Sequence, residues 1–114
     1  MTLGEKQRRF TELVSRLIRW AYANGYELTF AEAYRTPEQA ALNAKTGAGV
    51  SNSLHIKRLA VDFNLFIDGQ YQTSSEAHRP LGVYWKSLDP EARWGGDFKK
   101  PDGNHYSLSH KGVA

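Results

Sequence analysis

Apolar residues recur at helical spacing from the first turn of the chain. Leu3, Phe10, Leu13, Val14, Leu17, Ile18 and Ala21 form one stripe, with Lys6, Arg8, Arg9, Glu12, Arg16 and Arg19 on the other side. Thr2 and Glu5 have capping-box spacing, and Asn24-Gly25 suits a helix end. The pattern predicts an amphipathic helix with a solvated basic face. Tyr26 to Tyr34, with Leu28, Phe30 and Tyr34 in one phase, predicts a strand. Thr36-Pro37-Glu38-Gln39 then starts a second helix, because Thr36 can cap, Pro37 suits the first helical position and Gln39 completes the box. It is expected to run to about Lys45 and to end in a Gly-containing loop over Thr46–Asn52.

The second half reads differently. Leu59 to Ile67 is a β-like run followed by Asp68-Gly69, a hairpin signal. Arg79 to Leu88 suggests a short helix that Gly82 weakens and Asp89-Pro90 closes. Trp94-Gly95-Gly96-Asp97-Phe98 predicts a turn, Lys99–Asn104 a polar loop and His105–Leu108 a last strand. No repeat or linker interrupts these elements. One α+β domain over residues 1–114 is the expected organisation.

Composition narrows the chemistry. The 114 residues contain no cysteine, which excludes a disulfide framework, a thiol nucleophile and a cysteine zinc finger. Any metal site must therefore use histidine and carboxylates. Lys and Arg number 15 against 12 Asp and Glu, and this mild net charge of +3 suits an anionic partner without requiring nucleic acid. No helix-turn-helix, RRM or zinc-finger signature points to nucleic acid either. No run of about 18 apolar residues predicts a membrane span. The polar segment Met1–Arg9 lacks the apolar region of a signal peptide, so synthesis in the cytoplasm is expected.

Two stretches carry chemistry. Asp62 lies within the most apolar strand, on the face of Ala60 and Asn64 and opposite Val61, Phe63 and Leu65. A carboxylate buried there needs a cation, either a salt-bridge partner or a metal. His55 precedes that strand and can fold back over the same face. Asp102-Gly103-Asn104-His105 reads as a turn that delivers His105 to the start of a strand. Two histidines and one aspartate would leave a fourth tetrahedral position open, the arrangement of a catalytic zinc site. Asp102, at an ordinary carboxylate pKa of about 3.9, would be ionised and able to act as a base at neutral pH. His78 and His110 have no partner at metal spacing and are expected to be surface histidines. Trp94, Phe98, Tyr84 and Trp85 are expected in the core, and Asp97 in a turn.

The segment Ser53-x-His55-x6-Asp62, the Trp94–Phe98 motif and Asp102-x-x-His105-Tyr106 together resemble the M15 family of zinc peptidases. That family includes VanY-type D-Ala-D-Ala carboxypeptidases and phage L-alanyl-D-glutamate endopeptidases. Tyr34-Arg35-Thr36-Pro37-Glu38-Gln39 resembles the arginine motif that precedes its zinc motif. The resemblance runs from about Leu28 to Leu108 and is strongest to the short endolysin-like branch. It implies an antiparallel sheet with flanking helices, of the Hedgehog/DD-peptidase type. It implies one Zn2+ held by His55, Asp62 and His105, and Asp102 as general base and then acid. Arg35 would bind a substrate carboxylate or steady the oxyanion, and Ser53 would lie near the substrate or orient the loop before His55. The implied substrate is a peptidoglycan stem peptide, with the L-alanyl-D-glutamate bond first and the D-Ala-D-Ala bond as the alternative. A non-catalytic zinc-binding module is the alternative of another class.

At 114 residues, such a chain is expected to be a catalytic domain without a separate wall-binding domain, acting as a monomer. It would be made in the cytoplasm and reach the wall after holin-type release. Two departures from the family pattern stand out. Arg58 and Leu59 occupy the span where relatives commonly carry glycine, and Ser107 stands where many carry glutamate.

Overall fold

The computed structural model describes residues 1–47 and 53–114. Helix α1 (Leu3–Ala23) is followed by strand β1 (Tyr26–Glu32) and helix α2 (Pro37–Thr46). Strands β2 (Ala60–Ile67) and β3 (Gln70–Gln72) come next, then helix α3 (Arg79–Ser87) and strands β4 (Ala92–Trp94) and β5 (His105–Leu108). Short 3₁₀ turns cover Leu54–Lys57, Glu76–His78 and Gly95–Asp97. The strands form one sheet in the order β1-β2-β5-β4, with β3 paired to β2, and all pairs are antiparallel. This is the α+β architecture expected from the sequence.

Local signals explain most of the elements. Thr2 Oγ1 accepts from the Glu5 amide and Glu5 Oε1 accepts from the Thr2 amide, closing the box at the start of α1. Thr36 Oγ1 caps the Gln39 amide, and Gly47 ends α2 in the left-handed region. Residues 48–52 of the expected Gly-containing loop lie outside the described residues. Asp68 and Gly69 both take positive φ, the backbone that a two-residue hairpin between β2 and β3 demands.

The core forms where α1 and α3 pack on one face of the sheet. Phe10 of α1 meets Trp85 of α3 edge-on at 5.7 Å, and Trp85 meets Tyr106 of β5 at 6.2 Å. Phe63 of β2 completes the contact with Tyr106. Val61, Phe63 and Leu65 are buried, whereas Asp62 and Asn64 on the alternate phase are half-buried. Asp62 therefore sits on the expected face, with His105 directly across from it in β5.

Several expectations are corrected by packing. Gly82 does not weaken α3: a Cβ there would lie 2.2 Å from the Trp94 ring, so the glycine admits that indole. Lys6 leaves the solvated face, because its buried Nζ donates to Glu91 at 2.9 Å and to the Ser109 carbonyl. His78 is buried rather than on the surface and pairs with the Tyr106 hydroxyl at 2.8 Å. Tyr84 is only partly buried and stacks on Trp20 at 4.8 Å. Phe98 lies outside the core, against His105. β1 stops at Glu32, short of Tyr34, after a bulge between Phe30 and Glu32. No helix among the described residues is long and apolar enough to cross a membrane.

Candidate active site

On the sheet face opposite α1 and α3, three donors converge. His55 stands in the 3₁₀ turn before β2, Asp62 in β2 and His105 at the start of β5. Each offers one ligand atom, and these atoms lie within 4.8 Å of one another. Asp62 Oδ1 is 3.3 Å from His55 Nε2 and 3.2 Å from His105 Nδ1.

Each donor is positioned by its own backbone setting. Ser53 Oγ accepts from the His55 amide at 3.2 Å and starts the 3₁₀ turn. Ser53 is buried. The turn ends at Arg58, whose φ of 55° lies in the left-handed region that favours glycine. The family-like glycine is thus missing where the backbone would favour one, and the Arg58 guanidinium instead covers the Tyr34 ring at 4.0 Å. His105 is delivered by a tight turn in which its amide donates to the Asp102 carbonyl at 3.1 Å. The Asp102 amide donates in turn to the Gly95 carbonyl at 2.9 Å. A Cβ on Gly95 would meet the Asp102 carbonyl oxygen at 2.0 Å, so this glycine lets the two loops touch. Trp94 Nε1 donates to the Gly103 carbonyl at 2.7 Å and fixes the turn from below. The Trp94-Gly95-Gly96 motif is therefore the bed of the Asp102–His105 loop.

The electrostatics follow from the convergence. Burial opposes charge on Asp62, but hydrogen bonds from His105 and His55 and their positive charge outweigh it, holding the carboxyl at about 2. Burial also disfavours protonated His55, yet its contacts with Asp62, the Ala33 carbonyl and Glu32 raise its pKa. Nδ1 of His55 is 3.2 Å from the Ala33 carbonyl, which can only accept. That contact places the proton on Nδ1 and turns the Nε2 lone pair toward the centre. The donor set therefore fits a divalent cation of borderline softness, with a cation and a proton as alternatives for the same lone pairs.

The surrounding cleft has a volume of about 460 Å³. Arg35, Ser53, Phe98, Lys100 and Asp102 line it together with the three donors. All six residues expected at the site thus share one cleft. Asp102 lies outside the donor cluster, as a base would. Burial pushes its pKa up, and the charge of Asp62 adds to that shift. Asp97 is excluded from the cleft chemistry, because it is exposed and paired with Lys86 at 2.7 Å. Ser107 is fully buried, and its Oγ has no hydrogen-bond partner among the described residues.

One residue at the site went unnoticed in the sequence. Glu32 accepts a hydrogen bond from Arg35 and lies 3.7 Å from His55 Nδ1. The bulge in β1 puts Glu32, rather than Ala31, opposite Asp62. No sequence signal announces that bulge. The only hint is a carboxylate three residues before Arg35.

A small α+β domain with a His-Asp-His centre, an outlying aspartate and a cleft arginine has the anatomy of a metallohydrolase. Residues 46–108 match the family model of M15 peptidases described as D-alanyl-D-alanine carboxypeptidase. The chain belongs to this M15 family of zinc peptidases. Among curated proteins none matches the chain significantly. Among solved structures, the fold is similar to the Serratia marcescens L-Ala D-Glu endopeptidase ChiX, with a TM-score of 0.74 and 19% identity. That likeness covers 93% of this chain and 85% of the other. It is also similar to a mutant of the vancomycin-resistance D,D-pentapeptidase VanY, in complex with Zn(II). There the TM-score is 0.58 at 23% identity, covering 88% of this chain and 70% of the other.

Proposed function

We propose that the protein is a zinc-dependent peptidoglycan peptidase that hydrolyses the stem peptide at the L-alanyl-D-glutamate bond. One observation carries this reading: the His55, Asp62 and His105 donors converge in the same cleft as Asp102 and Arg35. His55, Asp62 and His105 would hold the ion. Zinc, when bound, supplies Lewis acidity toward a water and a peptide carbonyl. Asp102 takes a proton from the attacking water and passes it to the departing amine. Arg35, anchored on Glu32, directs its remaining donors at a substrate carboxylate or at the developing oxyanion. Ser53 holds the loop that carries His55.

The choice of bond is supported by the fold likeness to an L-Ala D-Glu endopeptidase. The description of the matching family model favours a second reading, a D-Ala-D-Ala carboxypeptidase of VanY type. Mass analysis of digested muropeptides separates the two. A new N-terminal D-glutamate marks the endopeptidase, and released D-alanine marks the carboxypeptidase. Release of neither product overturns both.

The biological reading is an endolysin that acts as a monomer on the cell wall after synthesis in the cytoplasm and holin-type release. The mild positive charge suits the anionic wall. Turbidity loss of permeabilised cells, abolished by a chelator, tests it, and stable turbidity with zinc present sinks it.

A further inference from the structure

The loop that carries Asp102 has a cavity on each side. One is the donor cleft. The other, of about 250 Å³, shares Pro101 and Asp102 with it and is walled by β2, β3 and the segment before α3. Its polar lining includes Asn64, Gln72, Thr73, Ser75 and Asn104, and no lysine or arginine lines it among the described residues. Such a surface offers hydrogen bonds in both directions and no cation for an anion. Ser75 Oγ accepts from the Gly103 amide, which leaves its own proton to donate. Gln72 donates through Nε2 to the Gln70 carbonyl, which leaves its side-chain carbonyl to accept. The aromatic wall is Tyr71, 56% exposed and braced against Phe66 at 5.6 Å. An exposed ring beside neutral amides and hydroxyls matches a sugar, with C–H groups on one face and hydroxyls around the rim.

We propose that this second cavity binds the sugar that bears the stem peptide. The inference rests on the peptidase reading above and deepens it. In peptidoglycan the L-alanine of the stem is joined to a lactyl group on N-acetylmuramic acid. A cut after that alanine keeps the sugar one residue from the scissile bond, within reach of a cavity that begins at the far side of Asp102. A cut at D-Ala-D-Ala would leave the sugar several residues away. Occupation of this cavity therefore accounts for a preference for the L-alanyl-D-glutamate bond.

The test has two arms. In the first, the neutral disaccharide diacetylchitobiose is titrated into the labelled protein and followed by amide chemical shifts. Shifts at Tyr71 to Ser75 and at Asn104 that disappear in Tyr71→Ala support the site. Absence of shifts, or shifts elsewhere, overturns it. In the second, hydrolysis of the free stem peptide is compared with that of the disaccharide-bearing muropeptide. The muropeptide should be cut with a kcat/KM roughly tenfold higher, and Tyr71→Ala or Gln72→Ala should erase that ratio while leaving the free peptide unaffected. Equal kcat/KM on the two substrates in the wild type overturns the proposal. A protein that cuts neither substrate refutes the peptidase reading, and the shifts then decide alone whether the cavity binds sugar.

Discussion

Glu32 and Asp62 stand directly opposite one another across β1 and β2, with Ala31 bulged out beside them. Two carboxylates facing each other are stable only when cations separate them, and here Arg35 engages Glu32 while both site histidines engage Asp62. Glu32 thus touches both Arg35 and His55. Glu32→Gln should leave zinc stoichiometric while lowering kcat/KM about 10- to 100-fold. Metal analysis alongside muropeptide hydrolysis checks this. Undiminished kcat/KM would show that the Glu32–Arg35 pair is only structural.

The donor cluster makes a sharper prediction. His55→Ala, Asp62→Ala and His105→Ala should each lose zinc at equimolar metal and lose hydrolysis with it. A chelator should silence the wild type, and added zinc should restore it. Stoichiometric zinc in any of the three variants removes that residue from the ligand set.

Asp102→Asn separates metal binding from catalysis. Asp102 lines the cleft but lies outside the cluster, so the variant should keep its zinc and lose about 10²- to 10⁴-fold in kcat. Full activity with bound zinc would eliminate Asp102 as the proton carrier.

The helices and strands are legible because their signals are local, whereas the donor trio is legible only as a resemblance to a family motif, since His105 lies 43 residues from Asp62. Capping boxes, Asp68-Gly69 and the alternation of β2 each act within a few residues. The side chain of Asp62 points where strand alternation puts it. The fates of Glu32, Gly82, His78 and Phe98 depend on contacts distant in sequence. A one-residue bulge moves Glu32 into the site, and the Trp94 indole, ten or more positions away, decides why residue 82 is glycine. Phe98 looks like a core residue by composition, but the turn at Gly95–Asp97 turns it out onto the cleft wall. The expectation for Asp102 is the ordinary carboxylate value; in the fold, burial and the charge of Asp62, 40 residues away, raise it.

The buried His78 makes stability depend on pH. Burial lowers its pKa from 6.5 to about 4, so the folded protein keeps it neutral with Nδ1 paired to the Tyr106 hydroxyl. Between pH 6.5 and 4 the unfolded chain binds a proton that the folded chain refuses, and stability falls as pH drops through this window. The full loss is about 3 kcal/mol. Urea unfolding across this range should show the fall, and His78→Gln should remove that part of it. An unchanged acid limb in the variant would assign the loss to other groups.

Gly82→Ala sets two effects of opposite sign against each other. Alanine improves helix propensity by about 1 kcal/mol over glycine in α3. Its Cβ, however, would lie 2.2 Å from the Trp94 ring. That indole cannot easily yield, because it is fully buried and its Nε1 holds the Gly103 carbonyl. Overpacking of this kind costs about 1–3 kcal/mol or more and should outweigh the propensity gain. The urea midpoint should therefore fall with an unchanged slope. Because Trp94 carries the loop between Asp102 and His105, hydrolysis should decline more steeply than the folded fraction does. A rise in the midpoint would mean that the ring can move aside, and that Gly82 is not what seats the indole beneath the Asp102–His105 loop.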